Sequence, residues 1–150
     1  MFIKWTIEGV PELSRILGVA HKKVSDFTKP LWKSSKLILE DVERNFVSEG
    51  GLVGGWKPLA EATVKGRLRL GYGGRHPILQ RTGTLRRSFY ANVNSRKAVV
   101  TSRPGMAPYF KYHQSRKPRK TKLPRRAMLV LTKFTRENIV ETFNDFLRFK

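Results

Sequence analysis

Phe89-Tyr-Ala-Asn-Val-Asn-Ser-Arg-Lys-Ala-Val-Val-Thr101 decides the fold class. Phe89, Ala91 and Val93 fall on one side of an alternating pattern, Asn94-Ser95-Arg96 supplies turn residues, and Ala98 to Thr101 is again rich in strand formers. An alternating strand before a short polar turn and a run of strand formers after it predict a β-hairpin within 88–102. Met128-Leu-Val-Leu131 has the composition of a further strand.

The segments outside the hairpin change period. Leu13, Leu17, Ala20, Val24, Phe27, Leu31, Ile38, Val42 and Phe46 are spaced by three, four or seven residues, the signature of one helical face from about 11 to 48. Pro11 and Glu12 suit its first turn. Pro30 lies inside the stripe and predicts a kink or a very short break, because proline removes a helical hydrogen bond and crowds the preceding turn. The bland reading of this arm is a core helix; the sharper one is a strut that also packs on neighbouring subunits. Glu49-Gly50-Gly51 stops it, and residues 59–70 predict a short helix carrying Leu59, Ala62 and Leu68. Thr82 or Thr84 would cap a turn through Leu85. At the far end, Phe134, Ile139, Phe143, Phe146 and Leu147 place a helix over roughly 133–149. Residues 2–8 alternate as a half-buried strand would. The whole reads as one α+β domain over 1–150. A small antiparallel sheet packs against a long, Pro-kinked N-terminal helix and a C-terminal helix, and long basic loops at 71–76 and 115–126 are mobile.

Charge is distributed unevenly. Residues 51–130 hold 19 Lys and Arg and one acid, Glu61, so this segment carries +18 of the total +20. Like charges on one region oppose folding, so a polyanion or an acidic protein face is the natural counterpart. The densest tract runs from Arg116 to Arg126, with seven cations and two prolines in eleven residues, and predicts an extended arm. Arg86 and Arg87 form a second basic patch. Candidate partner- or DNA-binding residues are thus Arg86, Arg87, Arg116, Lys117, Arg119, Lys120, Lys122, Arg125 and Arg126. No helix-turn-helix, zinc finger or aromatic RNA-binding signature is visible.

Catalysis is disfavoured on composition. One carboxylate in the basic segment leaves no pair for acid–base work. There is no cysteine, and His21, His76 and His113 are far apart, so neither a metal site nor a cofactor is expected. Gly71-Tyr-Gly-Gly74 lacks the Lys-Ser/Thr of a phosphate-cradling loop. No leader peptide or membrane span is visible in the sequence.

Four segments then fall in a known order: Gly55-Trp-Lys-Pro-Leu-Ala-Glu-Ala-Thr63, Ile78-Leu-Gln-Arg-Thr-Gly-Thr-Leu-Arg-Arg-Ser-Phe89, Pro108-Tyr-Phe-Lys-Tyr-His-Gln114 and Leu123-Pro-Arg-Arg-Ala-Met-Leu129. With the helix ending at Phe46 they resemble the phage virion morphogenesis, or tail completion, family over roughly residues 35–148. Two features depart from its pattern: Phe110 stands where the family has a small residue, and Ser115-Arg116-Lys117 follows Gln114 where a glycine is common. The residues carrying the resemblance are Trp56, Pro58, Leu79, Gly83, Leu85, Tyr109, His113, Gln114 and Pro124, each with a structural role as an anchor or turn. The resemblance implies a non-enzymatic virion protein of the neck. It would complete the tail end and join it to the head connector as part of a ring, hexameric by family analogy. Its partners would be connector or adaptor proteins and the tail tube or tail terminator, with packaged double-stranded DNA as a neighbour and no membrane. The setting would be the virion, and the host cytoplasm during assembly. The alternative reading is a non-enzymatic basic nucleic-acid-binding module. A toxin-like nuclease is opposed by the scarcity of acids and the scattered histidines.

Overall fold

The computed structural model describes residues 10–115 and 123–148, the side chains at 10–14, 16 and 23 excepted. Helices α1 (Val10–Ser25) and α2 (Thr28–Val47) lead into a 3-10 turn (Gly51–Val53) and a short α3 (Glu61–Arg69). One-turn helix α4 (Thr84–Arg87) precedes strands β1 (Phe89–Val93) and β2 (Ala98–Ser102). Helices α5 (Phe110–Gln114) and α6 (Lys133–Leu147) complete the order. The fold is α+β, with α2 at its centre: the β1–β2 hairpin packs on it, and so does α6.

The helical arm breaks just before Pro30. Asp26 accepts a hydrogen bond from the Thr28 amide at 2.8 Å, and α2 starts at Thr28. Pro30 therefore occupies the first turn, where its missing N–H would have had no helical partner. The Thr28 contacts hold the Asp26 carboxyl below its ordinary value. Phe27, at the break, packs against Phe143 and Phe146 of α6 with ring centroids 5.9 and 6.0 Å away. Its amide donates to the Ser95 carbonyl at the hairpin tip at 2.8 Å. The predicted stripe continues inward along α2, where Val42 and Phe46 are buried, but not along α1, where Leu17 is 59% and Val24 53% exposed.

The hairpin forms where alternation placed it, with Phe89 opposite Ser102 and Val93 opposite Ala98. Asn94 closes the turn: its side-chain oxygen accepts from the amides of Arg96 and Lys97 at 2.9 and 2.8 Å, an Asx-type device. The core gathers Val42, Phe46, Trp56, Ile78, Leu85, Ala107 and Met128. A chain of aromatic contacts runs through it. Phe46 meets Trp56 edge-on at 5.3 Å and Phe89 at 5.9 Å, and Phe89 meets Phe110 edge-on at 5.3 Å. Each such contact adds about 0.5–1.5 kcal/mol beyond the area buried.

Three expectations change. Residues 128–131 form no strand. The strap that contains them, residues 123–132, has no regular secondary structure; side chains pair with its backbone where a neighbouring strand would. The face of α3 also differs: Val64 and Arg67 are buried while Leu68 is exposed. In α6, Phe134 is 62% exposed, and Thr135 takes the buried position instead. The strand predicted at 2–8 lies outside the described residues.

Candidate partner-docking surface

Arg116, Lys117, Arg119, Lys120 and Lys122 lie outside the described residues. The described residues on either side of them are clipped together. The Arg126 amide donates to the His113 carbonyl at 3.0 Å, and Arg125 Nε donates to the Gln114 carbonyl at 3.3 Å.

Arg126 corrects the expectation that every cation of the tract faces a partner. It is 4% exposed. Its Nε donates to the Lys57 carbonyl and its Nη2 to the Pro58 carbonyl, both at 2.9 Å. Burial lowers its pKa from the ordinary arginine value. A planar fork satisfying two adjacent carbonyls suits arginine and not lysine. The residue is an internal staple between the strap and the loop before α3.

Arg86 is also largely committed inside the molecule. It pairs with both carboxylate oxygens of Glu43 and donates to Gln80 Oε1 at 2.9 Å. Gln80 in turn donates to the Phe46 carbonyl at 2.9 Å. The Arg86 hydrogen bond holds the Glu43 carboxyl below its ordinary value, and Glu43 raises the guanidinium in return. Arg87 remains exposed and donates to the Thr82 carbonyl at 2.9 Å. Its side chain runs over Gly83, whose φ of +72° forms the left-handed entry to α4. Thr82 Oγ1 accepts from the Thr84 amide at the start of that helix at 3.4 Å, and the two hydroxyls hydrogen-bond each other at 2.8 Å.

The motif residues surround the strap. The Trp56 indole donates to the Ala127 carbonyl at 2.9 Å. Asn45, a residue the sequence reading passed over, donates to the Ala127 and Met128 carbonyls at 2.9 and 3.2 Å. Gln114 accepts from the Met128 and Leu129 amides and donates to the Leu129 carbonyl. Pro58 contributes its carbonyl to Arg126. Leu85 is buried, Leu79 packs against the core in the left-handed region with φ +59°, His113 is buried, Pro124 is half-buried, and Tyr109 is exposed.

The 71–76 loop, expected to be mobile, is pinned at several points. The Tyr72 amide donates to the Arg67 carbonyl at 2.9 Å. Arg75 pairs with Glu61 at 2.6 Å, and His76 Nδ1 meets Glu49 Oε2 at 2.5 Å. Glu49 also accepts from the Ile78 amide at 2.8 Å, just after the cis His76–Pro77 bond.

The described surface holds a cleft of about 710 Å³ bounded by α3, residues 79–85, Tyr109 and residues 123–126. Arg67, Arg69, Arg81 and Arg126 line it together with His113, and no carboxylate does. Sequence reasoning missed Arg67, Arg69 and Arg81. No charge-count signal separates them from the other cations of the basic segment; only the fold brings them together.

Among the described residues no group of three or more His, Cys, Asp or Glu side chains could hold a metal ion, and no helix is long and apolar enough to cross a membrane. Comparison with protein-family models, curated proteins and solved structures found no match.

Proposed function

We propose that this chain is a non-enzymatic structural subunit of a phage virion, a tail-completion protein that joins the tail to the head connector as part of a closed ring. The observation that carries the reading is the apolar side of the helical arm. Leu17 and Val24 of the predicted stripe are each more than half exposed, and so is Trp32 beyond the break. Exposed apolar residues along a helix favour a surface that another protein covers. In a ring each subunit offers such a face to a different face of its neighbour, a heterologous contact that closes on itself. The interlocking of Trp56, Gln114 and the strap supports the family resemblance, since the motif residues share one structural task.

The basic segment serves docking on acidic faces of neighbouring virion proteins. Packaged DNA is a neighbour, and a strongly cationic lumen would hold back DNA that has to leave. The experiment is removal of the gene product from a phage infection. Filled heads and complete tails that fail to join, with joining restored by purified protein, are the expected outcome; normal particles would overturn the reading. The formal charge of +20 favours the second reading, a nucleic-acid-binding module. That reading requires the chain to bind duplex or RNA as a monomer, with affinity falling steeply as salt rises.

A further inference from the structure

The cleft beside α3 combines two chemistries. Leu59, Leu79 and Leu85 provide apolar walls, and Leu70, Leu123 and Tyr109 stand exposed around it. The cations come from different elements. Arg67 is 6% exposed; its Nη1 donates to the Pro77 carbonyl at 3.1 Å, while its Nε meets no hydrogen-bond acceptor among the described residues. Arg69 is exposed at the end of α3. Arg81 is exposed too, its guanidinium 5.3 Å from the centre of the Tyr72 ring, a stacking that steadies its direction. Arg126 is turned onto the Lys57 and Pro58 carbonyls, leaving Arg69 and Arg81 as the cations open to an incoming group.

An occupant must bring carboxylates or phosphates to the arginines and cover the leucines. A nucleic-acid backbone would meet the first demand and leave Leu70 and Leu123 wet. Stacked bases need aromatic platforms, and Tyr109 is the one exposed aromatic ring in the described lining, His113 being buried. A cavity of this size suits a few side chains, with apolar contact for affinity and placed polar groups for orientation. We propose that this cleft binds a short acidic peptide segment of a partner protein. Its apolar side chains rest on Leu70, Leu79 and Leu123, and its carboxylates meet Arg69 and Arg81. This names a surface and a partner chemistry for the docking role proposed above and rests on that role only in taking the partner to be a protein.

The test uses the full chain and a fluorescein-labelled peptide of alternating leucine and glutamate, followed by polarisation at moderate salt. Binding is expected, and the double variant Arg69→Gln/Arg81→Gln weakens it by about tenfold or more, as loss of two charge-assisted contacts should. Leu70→Asp does the same, and a peptide with glutamine in place of glutamate binds correspondingly worse. All substituted positions are exposed, and circular dichroism checks that the variants fold. Arg96→Gln, at the hairpin turn away from the cleft, leaves binding unchanged. Three outcomes overturn the proposal: no binding by the wild-type chain, an equal loss in Arg96→Gln, or a cleft-dependent preference for oligothymidylate over the peptide. Head–tail joining is scored separately, so failure here and failure of the neck reading are told apart.

Discussion

The side-chain amide of Gln114 pairs with the backbone of Leu129 as one peptide group pairs with another. Its Nε2 donates to the Leu129 carbonyl at 2.9 Å, and its Oε1 accepts from the Leu129 amide at 3.1 Å and from the Met128 amide at 2.8 Å. One residue thus does the work of a short piece of neighbouring strand. Gln114→Ala leaves two amides and a carbonyl without these partners and is expected to destabilise the fold by about 2–3 kcal/mol. Urea unfolding should show a lower midpoint with an unchanged slope.

Asn45 and Trp56 share the Ala127 carbonyl as acceptor. Trp56→Phe keeps an aromatic ring against Phe46 and removes one hydrogen bond, a cost of about 1 kcal/mol. Asn45→Ala is expected to cost more, since the Met128 carbonyl loses its contact as well. A double-mutant cycle should give a coupling of about 0.5 kcal/mol or more, because either donor alone still serves the shared oxygen.

Gly50 and Gly54 form a matched pair. Both have positive φ, +91° and +82°. A Cβ on Gly50 would lie 2.3 Å from Trp56 Cδ1, whereas one on Gly54 meets nothing within 4 Å. Gly54→Ala is expected to cost about 1–2 kcal/mol for the left-handed conformation alone. Gly50→Ala must also displace the buried indole and should be several-fold worse, with near-ultraviolet circular dichroism of the tryptophan altered.

Glu43 and Arg86 give a pH signature. Hydrogen bonding to Arg86 lowers the Glu43 pKa from 4.5. A carboxyl lowered on folding contributes stability above its unfolded pKa and loses it as pH falls through the folded value. The pair is half exposed, so its share is small, about 0.5 kcal/mol after screening. The stability difference between wild type and Glu43→Gln should be constant at neutral pH and vanish in acid below the normal glutamate range. High salt should shrink it.

Leu17→Glu and Val24→Glu test the helical arm. Both residues are exposed in the single chain, so unfolding midpoints should stay within about 0.5 kcal/mol of wild type. Sedimentation velocity should report loss of self-association.

Local pattern made the hairpin and the α2 core legible. Phe89, Ala91 and Val93 alternate, Asn94 announces the turn, and Val42 and Phe46 keep helical phase. The interlock was not legible, because it consists of side chains acting on distant backbone: Asn45 reaches residues more than eighty positions away. Apolarity at 128–131 suggested a strand, but β-structure needs a partner strand, and side chains from Asn45, Trp56 and Gln114 took that place. Phe134 and Leu17 misled for the opposite reason, since periodicity marks an apolar face without saying what covers it. For the cleft, residues on α3 and on the chain before α4 meet through tertiary folding, so the charge pattern singled out Arg126 and passed over Arg81. The fold makes one a buried staple and leaves the other open.

The clip that joins Arg126 to His113 and Arg125 to Gln114 separates the fold's accounts from those of the residues between them. Both flanking stems are held to the body of the protein, Gln114 through its amide on Leu129 and Arg126 through the Lys57 and Pro58 carbonyls. A tag or epitope placed between Ser115 and Leu123 should therefore leave the strap's register, and with it the core, as they are.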